Sequence, residues 1–338
     1  MALRSLTVLR AVGGVTVQDR GRPGYLSQGL SRGGAMDRLA LAEGAALLGQ
    51  SPDLAALEIA AGTVALRAEA PLRIALTGAP LSATCDGAPL AWHASHAVPA
   101  GARLSIAARG AGYGYLHVGG GIATQPVLGS RSVHLAAGIG RMLAAGADMP
   151  LGDDSGTRTG LTLTPLPRWD GGAIRVVAGP QTALFDADTR DRFATATLAR
   201  DARGNRMGQR LTGGQFAAAG GLSILSDVVV PGDIQITGDG TPFVLLAECQ
   251  TTGGYPRIGS VLPCDLPRLV QAPPGAPLRF TFAMLDEARA AETAEAARRA
   301  ALHRQLRPLI RDPHDIPDLL AYQLVGGVTC GNDLEDAT

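Results

Sequence analysis

The sequence contains no lysine: all 30 basic residues are arginine, balanced by 30 acidic residues to a formal charge of zero. That absence excludes a P-loop, which needs a lysine on the phosphates. It excludes a Schiff-base lysine and a lysine carrying covalent biotin or lipoate. Any nucleotide site must then be atypical or lie on another chain. The chain also lacks the excess positive charge that displaces counterions from nucleic acid. Cysteine is scarce and dispersed, at Cys85, Cys249, Cys264 and Cys330 with no C-x-x-C pair, which argues against a zinc ribbon or a redox motif and fits a reduced compartment. No apolar run approaches the roughly 18 residues of a membrane span. The opening MALRSLTVLRAVGGVTVQD alternates like a strand and lacks the apolar core of a signal peptide. The expectation is a cytoplasmic protein without membrane or nucleic-acid partners.

What is abundant is glycine, 45 residues, with 22 prolines. They break the chain into short strands, as barrels and sandwiches require. Strands are predicted at 6–12, 63–68, 72–78, 102–108, 114–120, 173–179, 233–238, 242–249 and 276–283. Helices are predicted at 36–49, ending at Gly49, and at 286–307, stopping before Pro308. A second short helix is expected at 316–325. LEIAAGTVALRAEAPLRIALTG from Leu57 parallels LSDVVVPGDIQITGDGTPFVLLAE from Leu225. PAGARLSI at 99–106 parallels PPGAPLRF at 273–280, and GGAMDRLA at 33–40 parallels GNRMGQRL at 204–211. Three matches in one order and at one offset of about 170 residues imply a duplication. The expected fold is mainly β: two tandem homologous domains at 1–165 and 170–285, then a helical tail at 286–338. Sites often form in the crevice between such copies.

Three stretches carry candidate chemistry. VQDRGRPG is a tight, exposed loop. An arginine fork there could hold a carboxylate or phosphate bidentately. Asp19 and Arg22 equally suit a salt bridge that ties the loop together. GGAMD leads into a helix whose free N–H groups attract anions, although Asp37 sits where a capping acid belongs. Glu58 lies within an apolar run, where burial raises a carboxyl pKa or backbone N–H groups satisfy it. QTTGGYPR is the most specific segment. Gln250, Thr251, Thr252, Tyr255 and Arg257 bring amide, hydroxyl and guanidinium groups around a Gly-Gly bend, able to surround an oxyanion or a planar amide. Gln235 adds a second amide. Arg257 is expected to project its charge from this loop, so that Arg257→Ala lowers turnover and leaves the melting temperature nearly unchanged. His93 and His96 would point to opposite faces of a strand, and His117 and His134 have no companion ligands. No metal site is predicted. VGGGIATQ is not a dinucleotide-binding glycine pattern.

VQDRGRPGY, GGAMDRLAL, ALEIAAG, ALTGA, GSRSV, RMGQRL, GDIQITGDGTPFVLLAE and QTTGGYPRIGSVLPCDLPRLVQAPPG, in that order, resemble the biotin-dependent carboxyltransferase family. That family includes the C subunit of bacterial 5-oxoprolinase, the second subunit of allophanate hydrolase and the antagonist of a sporulation kinase inhibitor. The resemblance covers roughly residues 5–283. It implies two cyclophilin-like β-barrel domains, a related B subunit as partner and, in 5-oxoprolinase, a third, A subunit. The chain departs from the family pattern at Asn205, where an acid is common, and at Cys249, where an arginine is common. The function implied is a subunit of an ATP-dependent hydrolase that opens the lactam of 5-oxoproline to glutamate, inactive alone. Asp19, Arg22 and Asp37 would be catalytic, and Gln235, Gln250, Thr251, Thr252, Tyr255 and Arg257 would bind substrate or anion. ATP would act in the assembled complex. The alternatives are a urea or amide carboxylase subunit receiving biotin from another chain, and a non-catalytic regulator.

Overall fold

In the computed structural model, which describes residues 4–108, 110–219 and 224–310, the glycine-punctuated strands assemble into two β systems. The first is a curled sheet of eleven strands. Its spine is the long strand Ala56–Ala68, which pairs antiparallel with Ser5–Gln18, Tyr113–Val118 and Arg103–Ala107. Leu72–Gly78 continues the sheet beyond Tyr113–Val118. Every residue of Leu72–Gly78 is buried, because the sheet interior covers one face and the helix Arg38–Leu48 covers the other. That double cover is why its sequence, LRIALTG, is apolar almost throughout rather than alternating.

The second system is a closed seven-stranded barrel. Gly172–Val177 pairs with Arg257–Val261, followed round the wall by Asp233–Ile236, Pro242–Leu245, Gly208–Thr212, Leu198–Arg200 and Pro277–Phe282. The ring closes through parallel pairing of Pro277–Phe282 with Gly172–Val177. Phe193, Phe216 and Phe280 pack edge to face or tilted inside it, an arrangement aromatic pairs favour. Phe193 comes from Ala187–Thr195, a helix absent from the sequence-based expectation. Asp186 caps that helix by accepting the Thr189 N–H at 2.7 Å.

The two systems share one apolar cluster. Tyr113 and Tyr115 of the first sheet, with Ala35, Met36 and Leu41 from the adjoining loop and helix, pack with Leu246, Leu269 and Val270 of the barrel side. The tail crosses back over this junction. Its helix spans Leu285–Ala300, shorter than expected, and a 3-10 turn follows at Leu302–Gln305. Leu302 is buried, Leu306 packs on Leu47, Leu48 and Leu161, and Arg307–Pro308 pairs with Leu161–Thr162. The helix stops where these leucines must turn toward the first sheet. The helix expected at 316–325 lies outside the described residues.

Candidate functional site

The charged residues of the junction form one continuous network. Arg206, on the loop before Gly208–Thr212, reaches across to the first sheet. Its guanidinium bonds Glu58 Oε1, Glu248 Oε1 at 2.5 Å and the Gly34 carbonyl at 2.6 Å. Glu58 Oε2 accepts the Met36 N–H at 2.8 Å and the Tyr115 hydroxyl at 2.6 Å. Side-chain exposure is 11% for Arg206 and 1% and 2% for the two acids. Burial opposes the Arg206 charge, but Glu58 and Glu248 outweigh it and raise the guanidinium pKa. The partner of Glu58 is thus an arginine 148 residues away, together with the backbone donor that its place in an apolar run suggested.

Asp37 belongs to the same junction. Its Oδ1 caps the helix at the Ala40 N–H, 3.0 Å, which sets the helix start. Its Oδ2 takes Arg168 Nε at 2.7 Å and Gln271 Nε2 at 2.8 Å. Arg168 in turn forks onto Glu43 at 2.9 and 2.7 Å. Asp37 is fully buried, so it acts here as cap and latch with its acceptors already used.

Asp19 and Arg22 hold the loop against the segment 127–132. Asp19 accepts from the Gly21 N–H (2.8 Å), the Ser130 and Ser132 hydroxyls (2.6 and 2.5 Å) and the Arg131 N–H (2.7 Å). Arg22 donates to the carbonyls of Val127 and Ser132. One donor is left over. Arg22 Nη1 is buried with no acceptor among the described residues, in a side chain 1% exposed. Its environment lowers the guanidinium pKa, chiefly through burial. Beside it, His134 Nε2 meets Ser31 Oγ at 2.9 Å while His134 Nδ1 accepts the Ala137 N–H at 3.2 Å. The ring proton therefore sits on Nε2 and points at Ser31. Burial lowers the His134 pKa, keeping the ring neutral. An oxyanion or a carbonyl oxygen is what the free Arg22 donor lacks.

The second barrel carries the amide cluster. Gln250 Nε2 donates to Gln235 Oε1 at 3.2 Å, and Gln235 Nε2 is buried without an acceptor among the described residues. Gly253 passes directly over Gln235, so that a Cβ there would overlap its amide nitrogen. Thr252 and Tyr255 stand exposed at the rim, Tyr255 at 45%. Thr251 contributes its carbonyl to the Val229 N–H, 3.0 Å. Cys249 is a buried thiol whose pKa is pushed up to about 12 by burial and Asp233, so it is not a nucleophile.

Arg257 differs from its sequence-based expectation. It opens the strand Arg257–Val261 rather than projecting from the loop. Its guanidinium bonds Asp227, the Val228 carbonyl, Asp233 at 3.1 Å and Gln181 at 3.2 Å. Asp227 and Asp233 draw the guanidinium inward, leaving its side chain 14% exposed. Arg206, Glu248, Arg168, Ser31 and His134 do not stand out in the sequence as site residues. For Glu248 a signal exists: like Glu58 it is a lone acid on an apolar strand, PFVLLAEC. Among the described residues no three His, Cys, Asp or Glu side chains converge as a metal-binding set. None of the described helices is long and apolar enough to cross a membrane.

A curled β-sheet joined through buried charge pairs to a closed β-barrel defines a two-subdomain β protein with its polar loops at the junction. Residues 28–282 match the family described as carboxyltransferase domain, subdomain A and B, and the chain belongs to that family. It is 35% identical to the Escherichia coli protein named as the C subunit of 5-oxoprolinase, over 84% of this chain and 93% of that one. The solved structure of TTHA0988 is 32% identical and superposes with a TM-score of 0.76 over 83% of this chain, which spans only 56% of that longer one. The Kluyveromyces lactis urea amidolyase shares the fold with a TM-score of 0.80 at 24% identity, over 92% of this chain and 21% of that one.

Proposed function

We propose that this chain is the C subunit of an ATP-dependent 5-oxoprolinase and opens the lactam of 5-oxoproline to glutamate together with partner subunits. The observation that carries the reading is a pair of unsatisfied donors suited to an amide substrate: Gln235 Nε2 behind Gly253, and Arg22 Nη1 beside His134. Similarity over 84% of this chain to a protein named for that role supports the choice of lactam. An unstrained lactam is a poor electrophile; transfer of the terminal phosphoryl group of ATP to the amide oxygen, with release of ADP, would activate the ring carbon, and water would then open the C–N bond with release of phosphate. On this chain Gln235 and Gln250 orient the planar amide. Arg22 would hold the oxygens of the phosphoryl group carried on the lactam oxygen. No described group forms a complete nucleophile–base pair, because His134 points its proton at Ser31. A partner must therefore complete the site, and the B and A subunits of the same system are the natural candidates in a cytoplasmic complex.

The test is co-expression with the B subunit, with and without the A subunit, and assay of glutamate formed from 5-oxoproline and ATP. Activity that needs this chain and falls at least tenfold in Gln235→Leu supports the reading. Turnover by the isolated chain would contradict it. The carboxylase alternative, with biotin presented by another chain, draws on weaker sequence similarity: 27% to a protein named putative urea carboxylase in Emericella nidulans.

A further inference from the structure

The helix Arg38–Leu48 and the tail helix Leu285–Ala300 flank a groove of about 700 Å³, lined on its apolar side by Leu39, Leu41, Pro263 and Pro267. Four arginines from three parts of the chain line it: Arg20, Arg32, Arg38 and Arg299. Their own acceptors do not match them. Arg38 has no hydrogen-bond or ion-pair partner among the described residues. Among the described residues Arg32 reaches only the Arg20 carbonyl, at 2.9 Å. Arg299 Nε is buried without a hydrogen bond, and its nearest acid, Glu295, is 3.8 Å away and engaged with Arg298 at 2.6 Å. Glu292 and Glu295 line the groove as well, but Glu292 is already held by the Cys264 N–H at 2.7 Å. Arg20 alone has a close carboxylate, an exposed pair with Asp53 at 2.8 Å. Burial, and then the charges of Arg32, Arg20 and Arg299, lower the Arg38 pKa to about 10, against the attraction of Glu292. Like charges packed this way oppose one another.

We propose that this groove is a binding site for a small molecule bearing a polyphosphate chain. Guanidinium forks match phosphate oxygens bidentately, and several of them around one groove suit a ligand with several negative charges rather than a single carboxylate. The volume falls within the roughly 300–1,000 Å³ of small-molecule sites. The apolar wall gives a non-phosphate portion somewhere to lie. The sequence hint of an anion site is the helix start at GGAMD. The backbone donors at Met36, Asp37 and Ala40 are consumed by Glu58, Tyr115 and Asp37, while the flanking Arg32 and Arg38 line the groove. This site stands whichever amide the assembled protein acts on.

The experiment is calorimetric titration of the full chain with tripolyphosphate and with ATP at moderate salt. Wild type should bind both, one per chain. Arg38→Gln and Arg299→Gln should each weaken binding about tenfold or more, and Arg279→Gln, an exposed barrel arginine, should leave it unchanged. Tighter binding of ATP than of tripolyphosphate would place the nucleoside on the apolar wall; equal binding would restrict recognition to the phosphates. Ligand-free Arg38→Gln should melt no lower than wild type, because it removes a repelled charge. Absence of binding at about 5 mM ligand, equal affinity in wild type and both groove variants, or a destabilised ligand-free Arg38→Gln would each overturn the proposal.

Discussion

Replacing Arg206 with alanine should strip the two subdomains of the cation that joins them. Glu58 and Glu248 would be left nearly unexposed, with their shared arginine gone. Removing one partner of a buried ion pair costs about 3–5 kcal/mol, because the remaining charge stays desolvated. Unfolding entropy near 2.1 cal/mol/K per residue over 338 residues amounts to about 0.7 kcal/mol/K, so the melting temperature should fall by about 4–7 °C. The assay is a thermal melt followed by circular dichroism at neutral pH. A triple variant, Arg206→Met with Glu58→Gln and Glu248→Gln, removes the stranded charges and should recover most of the loss. The amide oxygen at position 58 of that variant would still accept the Met36 N–H. A fall of less than 1 °C in Arg206→Ala would refute the reasoning, since it would mean water reaches both carboxylates. Failure of the triple variant to recover would mean that the ion pair itself stabilises the junction.

Three further outcomes follow. Gly44→Ala, which in an ordinary helix stabilises by about 1 kcal/mol, should here destabilise, because a Cβ at Gly44 would overlap the His117 ring; a raised melting temperature would contradict that packing. Burial lowers the pKa of His117 from 6.5 to about 3 and that of His93 to about 4. The unfolded chain therefore binds protons that the fold refuses, and stability should decline below pH 6.5 by up to about 1.4 kcal/mol per unit for each histidine. His117→Gln should flatten part of that slope in urea unfolding, and a flat profile between pH 6.5 and 5 would contradict it. Arg257→Ala should cost about 1–3 kcal/mol, because Asp233 is buried and loses its cation; an unchanged melt would restore the loop-projected arginine that the sequence suggests.

Legibility followed the range of the interactions involved. The strand at 72–78 and the helix ending at Gly49 rest on local apolar patterning and a left-handed cap, with φ 61° at Gly49, and both are readable directly. The strand expected at 242–249 is shorter in the fold. It stops at Leu245 because Leu246, Ala247 and Glu248 turn into the junction, where Ala247 accepts the Gly33 N–H and Glu248 takes Arg206. The Leu57 and Leu225 segments also occupy different places. Ala56–Ala68 and Leu72–Gly78 are separated by Tyr113–Val118 in the first sheet, whereas Asp233–Ile236 and Pro242–Leu245 are direct neighbours in the barrel. At the site, Gln235 and Gln250 are identifiable from residue type and do meet. The charge network was not legible, because Arg206 and Glu58, or Arg168 and Asp37, are brought together only by tertiary folding. A lone acid in an apolar run signals that a partner exists without saying which.

The most direct measurement follows ¹³C-labelled 5-oxoproline by NMR in the reconstituted complex of this chain with its partner subunits, with urea and bicarbonate offered in a parallel reaction. The account predicts ring opening to labelled glutamate that requires ATP and this chain. Consumption of urea dependent on a biotinylated protein, with 5-oxoproline left intact, would contradict it.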